Sequence, residues 1–241
     1  MRGSWENPKS DFIIYLSLVK SQILTMLHTI LKILFPSPCY SCGFLSEPLC
    51  DKCFVKLEFC PHMRDVFGMQ VCSSMYYQPG SVLEKLIHPF KYKHQAEIFR
   101  IFVAHMIEAM KILGDLDGLV FVPVPLHKKR QLDRGYNQAE LLAKWTAKKL
   151  GCEMRDVLVR VKDTGSQAKV SDAASRRENM QNAFRVKEGL EKYGQIVLVD
   201  DIVTTGSTLL ACREALLAAG AKKVSALTLA DREKTPQNPW D

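Results

Sequence analysis

The stretch Ile196–Leu209, IVLVDDIVTTGSTL, constrains this chain more than any other. Ile196 to Val199 form an apolar run suited to a strand buried on both faces, as at the centre of a parallel sheet. Two carboxylates, Asp200 and Asp201, stand at its carboxyl end. The loop Thr204–Thr208 then opens a helix predicted over Ser207–Ala219, stopped by Gly220. Ligands of open α/β sheets bind at that edge. The loop offers the hydroxyls of Thr204, Thr205, Ser207 and Thr208. Gly206 lets backbone N–H groups approach a ligand, and a helix N-terminus favours an anion. Two adjacent acids suit vicinal hydroxyls, directly or through a hydrated Mg²⁺. A sugar 5-phosphate satisfies both halves. The chain has no G-x-x-x-x-G-K-[ST] run, so this is not a Walker loop.

The surrounding pattern alternates helix and strand. Helices are predicted over Ala96–Leu113 and Asn137–Leu150, ended by Gly114 and Gly151. Strands are predicted at Leu119–Val122, Ala183–Val186 and Val224–Leu229. This order is that of an open α/β sheet. With 241 residues, 47% of them hydrophobic and 24% charged, the chain is long enough for one or two compact units and is neither disordered nor fibrous.

Six of the eight Cys fall between Cys39 and Cys72. Cys39-Tyr-Ser-Cys42 and Cys50-Asp-Lys-Cys53 are two C-x-x-C pairs, which supply the four sulfurs of tetrahedral zinc. Four thiolates leave no open position, so the predicted site is structural. Cys60, His62 and Cys72 match a second zinc site poorly; a degenerate knuckle without metal is the alternative. Cys152 and Cys212 read as small core residues.

The net charge of +7 is uneven. Pro123–Arg185 carries 14 Lys/Arg against 7 Asp/Glu, while the remaining residues carry 19 of each sign. Such a zone points to an anionic partner (a phosphate, a nucleotide or a nucleic acid), with a solvated helix face as the plainer reading. Phe12–Phe35 is apolar-rich, but its longest clean run is eight residues. That is short of the roughly 20 a membrane span needs, and it lacks the layout of a signal peptide. Its three- and four-residue spacing predicts an amphipathic helix stopped by Pro36, docked on the protein itself, on a partner or on a membrane surface. Unpaired thiols and no leader give a cytoplasmic chain, with the inner membrane face as an alternative.

The run from Asp200 to Thr208, following its strand, resembles the signature with which type I phosphoribosyltransferases bind phosphoribosyl pyrophosphate (PRPP). Further runs resemble the competence protein F (ComF, GntX-like) family in particular. They are Leu34-Phe-Pro36, Phe90-Lys-Tyr-Lys93, Val122-Pro-Val-Pro-Leu126 with Arg134-Gly-Tyr-Asn-Gln138, and Gln167 followed by Arg177-Glu-Asn179 and Asn182-Ala-Phe184. The sequence departs from the family at Cys60-Pro-His62-Met63, where a further C-x-x-C is common.

The resemblance implies an open, mainly parallel sheet flanked by helices. An amphipathic helix (1–36) and a small four-cysteine zinc ribbon (37–75) would precede a phosphoribosyltransferase-like domain (80–235). It also implies roles. Asp200 and Asp201 would hold the ribose hydroxyls of PRPP, and Thr204, Thr205, Gly206, Ser207 and Thr208 its 5-phosphate. Lys128, Arg130 and Arg134, with the Pro123–Pro125 turn, would face the pyrophosphate, and Asp163–Arg177 would cover the site. The implied activity is Mg²⁺-dependent phosphoribosyl transfer to an unidentified acceptor. The alternatives are a PRPP sensor without catalysis, or a protein handling single-stranded DNA in natural competence, alone or with other competence proteins. In the last case Tyr92, Tyr136 or Trp145 would stack on bases.

Overall fold

Parallel pairing organises the chain from Leu119 onward. The computed structural model describes Met26 and residues 38–45, 48–92, 98–114, 116–162 and 182–232. Two compact units are present, Met1–Phe54 and Val55–Asp241. The amphipathic helix expected over 1–36 lies outside the described residues, Met26 apart. Among the described residues no helix is long and apolar enough to cross a membrane.

In the first unit the chain turns tightly after Cys39. Gly43 N–H donates to the Cys39 carbonyl at 2.9 Å, and Gly43 adopts φ +78°, which a side chain would oppose. A one-turn helix, α1 (Asp51–Phe54), follows Cys50 and carries Cys53, with Phe54 N–H donating to the Cys50 carbonyl at 2.8 Å.

The second unit is built on a six-stranded sheet. Its strands are β1 (His62–Asp65), β2 (Gln70–Tyr76), β3 (Leu119–Pro123), β4 (Glu153–Met154), β7 (Gln195–Val203) and β8 (Lys223–Asp231), in the order β1-β2-β8-β7-β3-β4. Every pairing is parallel except β1 with β2. Ile196–Val199 is buried throughout, between β3 and β8, as a run apolar on both faces must be. Strand periodicity sends alternate side chains to opposite faces. Val120, Val122, Ile196, Leu198, Val224 and Ala226 share a core cluster with Leu209, Cys212 and Leu216 of helix α6 (Ser207–Ala218). Cys72 of β2 reaches α3 (Phe99–Met110), its thiol on the Ala109 carbonyl at 3.1 Å. α5 (Gln138–Leu150) starts at Asn137, whose side chain caps the Ala139 N–H. Helices α2 (Val82–Tyr92) and α4 (Lys128–Arg134) lie in the same unit, and a 3-10 turn (Lys111–Leu113) follows α3.

Two expectations shift. Residues 62–75, assigned from sequence to the ribbon module at 37–75, belong with Tyr76 to the two sheet strands β1 and β2 and the turn between them. Val71–Met75 is buried between β1 and β8, and the polar Ser73 is accommodated there by a 2.7 Å hydrogen bond with Thr228. The strand predicted at Ala183–Val186 forms as β6 (Phe184–Val186), but it pairs antiparallel with β5 (Leu158–Arg160) in a separate two-stranded sheet.

Candidate functional site

β7 runs two residues past the acids, to Val203, so Asp200 and Asp201 sit on ordered strand backbone. Asp200 Oδ1 accepts the Asp201 N–H at 2.8 Å, and Asp201 Oδ1 accepts the Ile202 N–H at 2.8 Å. The other Asp201 oxygen lies 2.5 Å from Lys91 Nζ. Burial, then the Asp201 charge, pushes the Asp200 carboxyl up to about 7, against the pull of the Asp201 N–H and Lys91.

Lys91 arrives from the end of α2, and Arg134–Gln138 holds that end. The Tyr136 hydroxyl donates to the Phe90 carbonyl. The Gln138 amide lies 3.5 Å from the carbonyls of both Phe90 and Lys91. Arg134 donates to Gln138 Oε1 at 3.0 Å, and the Asn137 amide donates to the Val124 carbonyl at 3.0 Å. Arg130 is half-buried on α4 and Lys128 is exposed at its start. α4 has no buried residue, and its Leu132 is 84% exposed.

The loop after β7 is tight. Thr205 and Ser207 share a 2.9 Å hydroxyl–hydroxyl bond, while Thr204 is exposed. Gly206 has φ +76°, and a Cβ there would lie 2.2 Å from Val66 Cγ1. Glycine is thus required by packing and backbone conformation, in addition to the ligand approach argued from sequence. Gly206 caps α6 without a side-chain acceptor of its own, while the Ser207 N–H at the start of the helix lies 3.5 Å from Thr205 Oγ1; a helix N-terminus of this kind favours an anion. The adjoining end of β8 carries a buried Asp231, bound by Arg64 through Nε at 2.5 Å and Nη2 at 3.1 Å.

The four cysteines form a second constellation, within the first unit. The Sγ atoms of Cys39, Cys42, Cys50 and Cys53 lie within 4.8 Å of one another, with Cys42 and Cys50 at 3.6 Å. A tetrahedral zinc–thiolate site with bonds of about 2.3 Å has sulfur–sulfur edges of roughly 3.8 Å, so the donor set fits. Burial raises the Cys39 thiol, but backbone N–H groups of Cys50, Cys42 and Ser41 outweigh it and bring it down to about 6. Among the described residues no other cluster of three or more such donors forms. The spacing of Cys60, His62 and Cys72 finds its reason in the sheet. Cys72 is buried, which pushes its thiol up to about 11, and His62 stacks on Tyr76 with centroids 3.9 Å apart.

The aromatics considered for base stacking are engaged elsewhere. Tyr136 packs edge-on against Phe90, and Trp145 stacks on Phe99 with Lys148 across its ring. The Tyr92 side chain lies outside the described residues, as do Gln167, Arg177, Asn179 and the covering segment 163–177. Sequence reasoning missed Arg64 and gave Lys91 no role. Phe90-Lys-Tyr-Lys93 had flagged Lys91; nothing local flags Arg64.

Residues 137–240 match the phosphoribosyl transferase domain family. The chain is 32% identical to competence protein F of Haemophilus influenzae over 199 residues, covering 77% of this chain and 85% of that protein. It is 35% identical to the DNA utilization protein YhgH of Salmonella typhi over 150 residues, covering 59% of this chain and 64% of that one. It is 30% identical to competence protein ComFC of Bacillus subtilis, covering 64% and 61%. The chain thus spans just under two thirds of the latter two relatives.

Proposed function

This chain belongs to the competence protein F family, with a phosphoribosyl transferase domain, and from that premise we propose that it binds PRPP at the end of β7 and transfers the phosphoribosyl group to an acceptor. The carrying observation is the paired carboxylate and hydroxyl-rich turn at one strand end. In this reading Asp200 and Asp201 receive the ribose hydroxyls. Thr204–Thr208 and the first N–H groups of α6 receive the 5-phosphate. Lys128, Arg130 and Arg134 face the pyrophosphate, where departure of the leaving group builds negative charge that fixed cations stabilise. The carboxylates are hard oxygen donors of the type that hold hydrated Mg²⁺, which would neutralise pyrophosphate charge. Lys91 gives Asp201 a resident cation, to be displaced or shared when ligand arrives. Zinc is the metal proposed for the four cysteines, and the free thiols suit a cytoplasmic setting.

Calorimetry with PRPP, with and without Mg²⁺, tests this. Asp201→Asn is expected to weaken binding about 10- to 150-fold, the worth of a hydrogen bond to a charged acceptor, and Thr205→Val less. No heat at millimolar PRPP with Mg²⁺ would reject the reading. Pyrophosphate release then separates a transferase from a sensor.

A second reading, contact with single-stranded DNA, is favoured by α4, an exposed helix with four Lys and Arg, and by the DNA utilization name of the YhgH relative. Affinity should fall with salt with a log–log slope of about −0.7 per phosphate contacted. Replacing Arg130 and Arg134 should flatten that slope.

A further inference from the structure

The end of β1 and the turn after it meet the anion loop at Thr204 and at Gly206. Arg64, the third residue of β1, binds the buried Asp231 of β8 through two N–H groups, and its Nη2 also donates to the Thr204 carbonyl at 3.1 Å. Two residues on, Val66 occupies the space a Cβ of Gly206 would fill. The Phe67 carbonyl accepts from Arg213 of α6 at 3.0 Å, fastening the turn to the helix the loop opens. The turn is itself closed: Asp65 Oδ1 accepts the Gly68 N–H at 2.8 Å, and Val66 and Met69 exchange backbone bonds of 2.9 and 3.1 Å.

The consequence follows from peptide geometry. In a planar trans peptide the carbonyl of one residue and the N–H of the next point in opposite directions. A guanidinium holding the Thr204 carbonyl therefore fixes the Thr205 N–H toward the other side of the chain. Val66 in the Gly206 niche sets the next peptide. An anion loop works by presenting N–H groups already aligned, so whatever fixes these peptides lowers the ordering cost of binding. Arginine suits the task because its fork serves a carboxylate and a carbonyl together; a lysine ammonium is a point charge without that fork.

We infer that Arg64, held by Asp231, is a positioning residue for the phosphate-binding loop, and that the β1–β2 turn clamps that loop in its anion-ready shape before ligand arrives. The inference rests on the ligand reading above for its purpose, and its structural half can be tested without any ligand.

The experiment compares wild type with Arg64→Lys, which keeps a positive charge beside the buried Asp231, and with Arg64→Met/Asp231→Asn, which removes both charges. Amide hydrogen exchange is read in the free proteins, and binding of ribose 5-phosphate and of inorganic phosphate is read by calorimetry. In both variants the amides of Thr205–Leu209 should exchange about tenfold faster or more, while β3 and β7 core amides and the unfolding midpoint stay near wild type. Affinity for both phosphate probes should fall about tenfold, with Arg64→Lys retaining the larger share. Unchanged exchange at 205–209 in either variant overturns the clamp. So does faster exchange spread through β3 and β7, which would make Arg64 a general stabiliser. If exchange responds as expected but wild type binds neither probe, the clamp stands and the phosphate reading falls.

Discussion

Replacing Asp200 by Asn should tilt the pH dependence of stability. The carboxyl titrates at about 7 in the fold against an ordinary 3.8, chiefly because of burial and then because of Asp201. For an acid raised in this way the folded state keeps a proton that the unfolded chain has released. Its contribution is therefore greatest in acid and is lost as pH rises through 7. Integrated between about pH 5.5 and 8.5, the loss is about 2 kcal/mol for a single group with these two values. Asn does not titrate, so the variant should gain about 2 kcal/mol relative to wild type across that window, whatever constant offset the substitution adds.

Other groups titrate nearby. His62 is raised: burial lowers it, but the Asp231 and Cys60 hydrogen bonds win, so its contribution is also lost as pH rises. His105 is lowered by burial and Cys39 by backbone N–H groups, so their contributions grow with pH. All three are present in both proteins and cancel in the difference. Urea unfolding at stepped pH measures it. A difference flat to within about 0.5 kcal/mol would refute the reasoning. Lys91 pulls Asp200 down, so Lys91→Met in the wild-type background should move the midpoint above 7.

Three further outcomes are expected. Gly206→Ala should cost about 2–4 kcal/mol, combining a positive-φ penalty with the contact to Val66, and adding Val66→Ala should recover only the second part; unfolding curves of the two variants decide it. Cys42→Ser should drop bound metal from one equivalent to well under half and unfold the first unit, since metal binding energy there is folding energy; elemental analysis with circular dichroism reads both. Tyr136→Phe should cost about 0.5–1.5 kcal/mol by removing the hydroxyl donor to the Phe90 carbonyl and leaving it only the longer contact with the Gln138 amide, and an unchanged urea midpoint would count against that anchor.

What could be read from sequence was what the chain keeps together. The two acids, the hydroxyl turn and the helix start are contiguous, so strand and helix patterns alone place them at one sheet edge. The cysteine pairs are likewise local, and so is Asn137 as the start of α5. The partners that hold these groups are distant in the chain. Lys91 reaches Asp201 across 110 positions, and Arg64 reaches Thr204 across 140 and Asp231 across 167. No periodicity encodes such pairings, because they are set by strand order. The hairpin 62–76 was misassigned for the same reason. Cys60, His62 and Cys72 read as a poor zinc site or a degenerate knuckle without metal, and the strand appears only when β8 supplies Thr228 opposite Ser73.

Charge shows the same limit. The basic excess of Pro123–Arg185 is plain in the count, but the count does not say where each cation is committed. Arg134 donates to Gln138, Arg155 pairs with Glu153 and Arg160 lies over Phe184. The sign of the zone is therefore legible in the sequence, while the neighbour that orients each cation is supplied by the fold. In the ligand reading proposed above, the affinity of the site would rest on the N–H groups of the loop together with these cations.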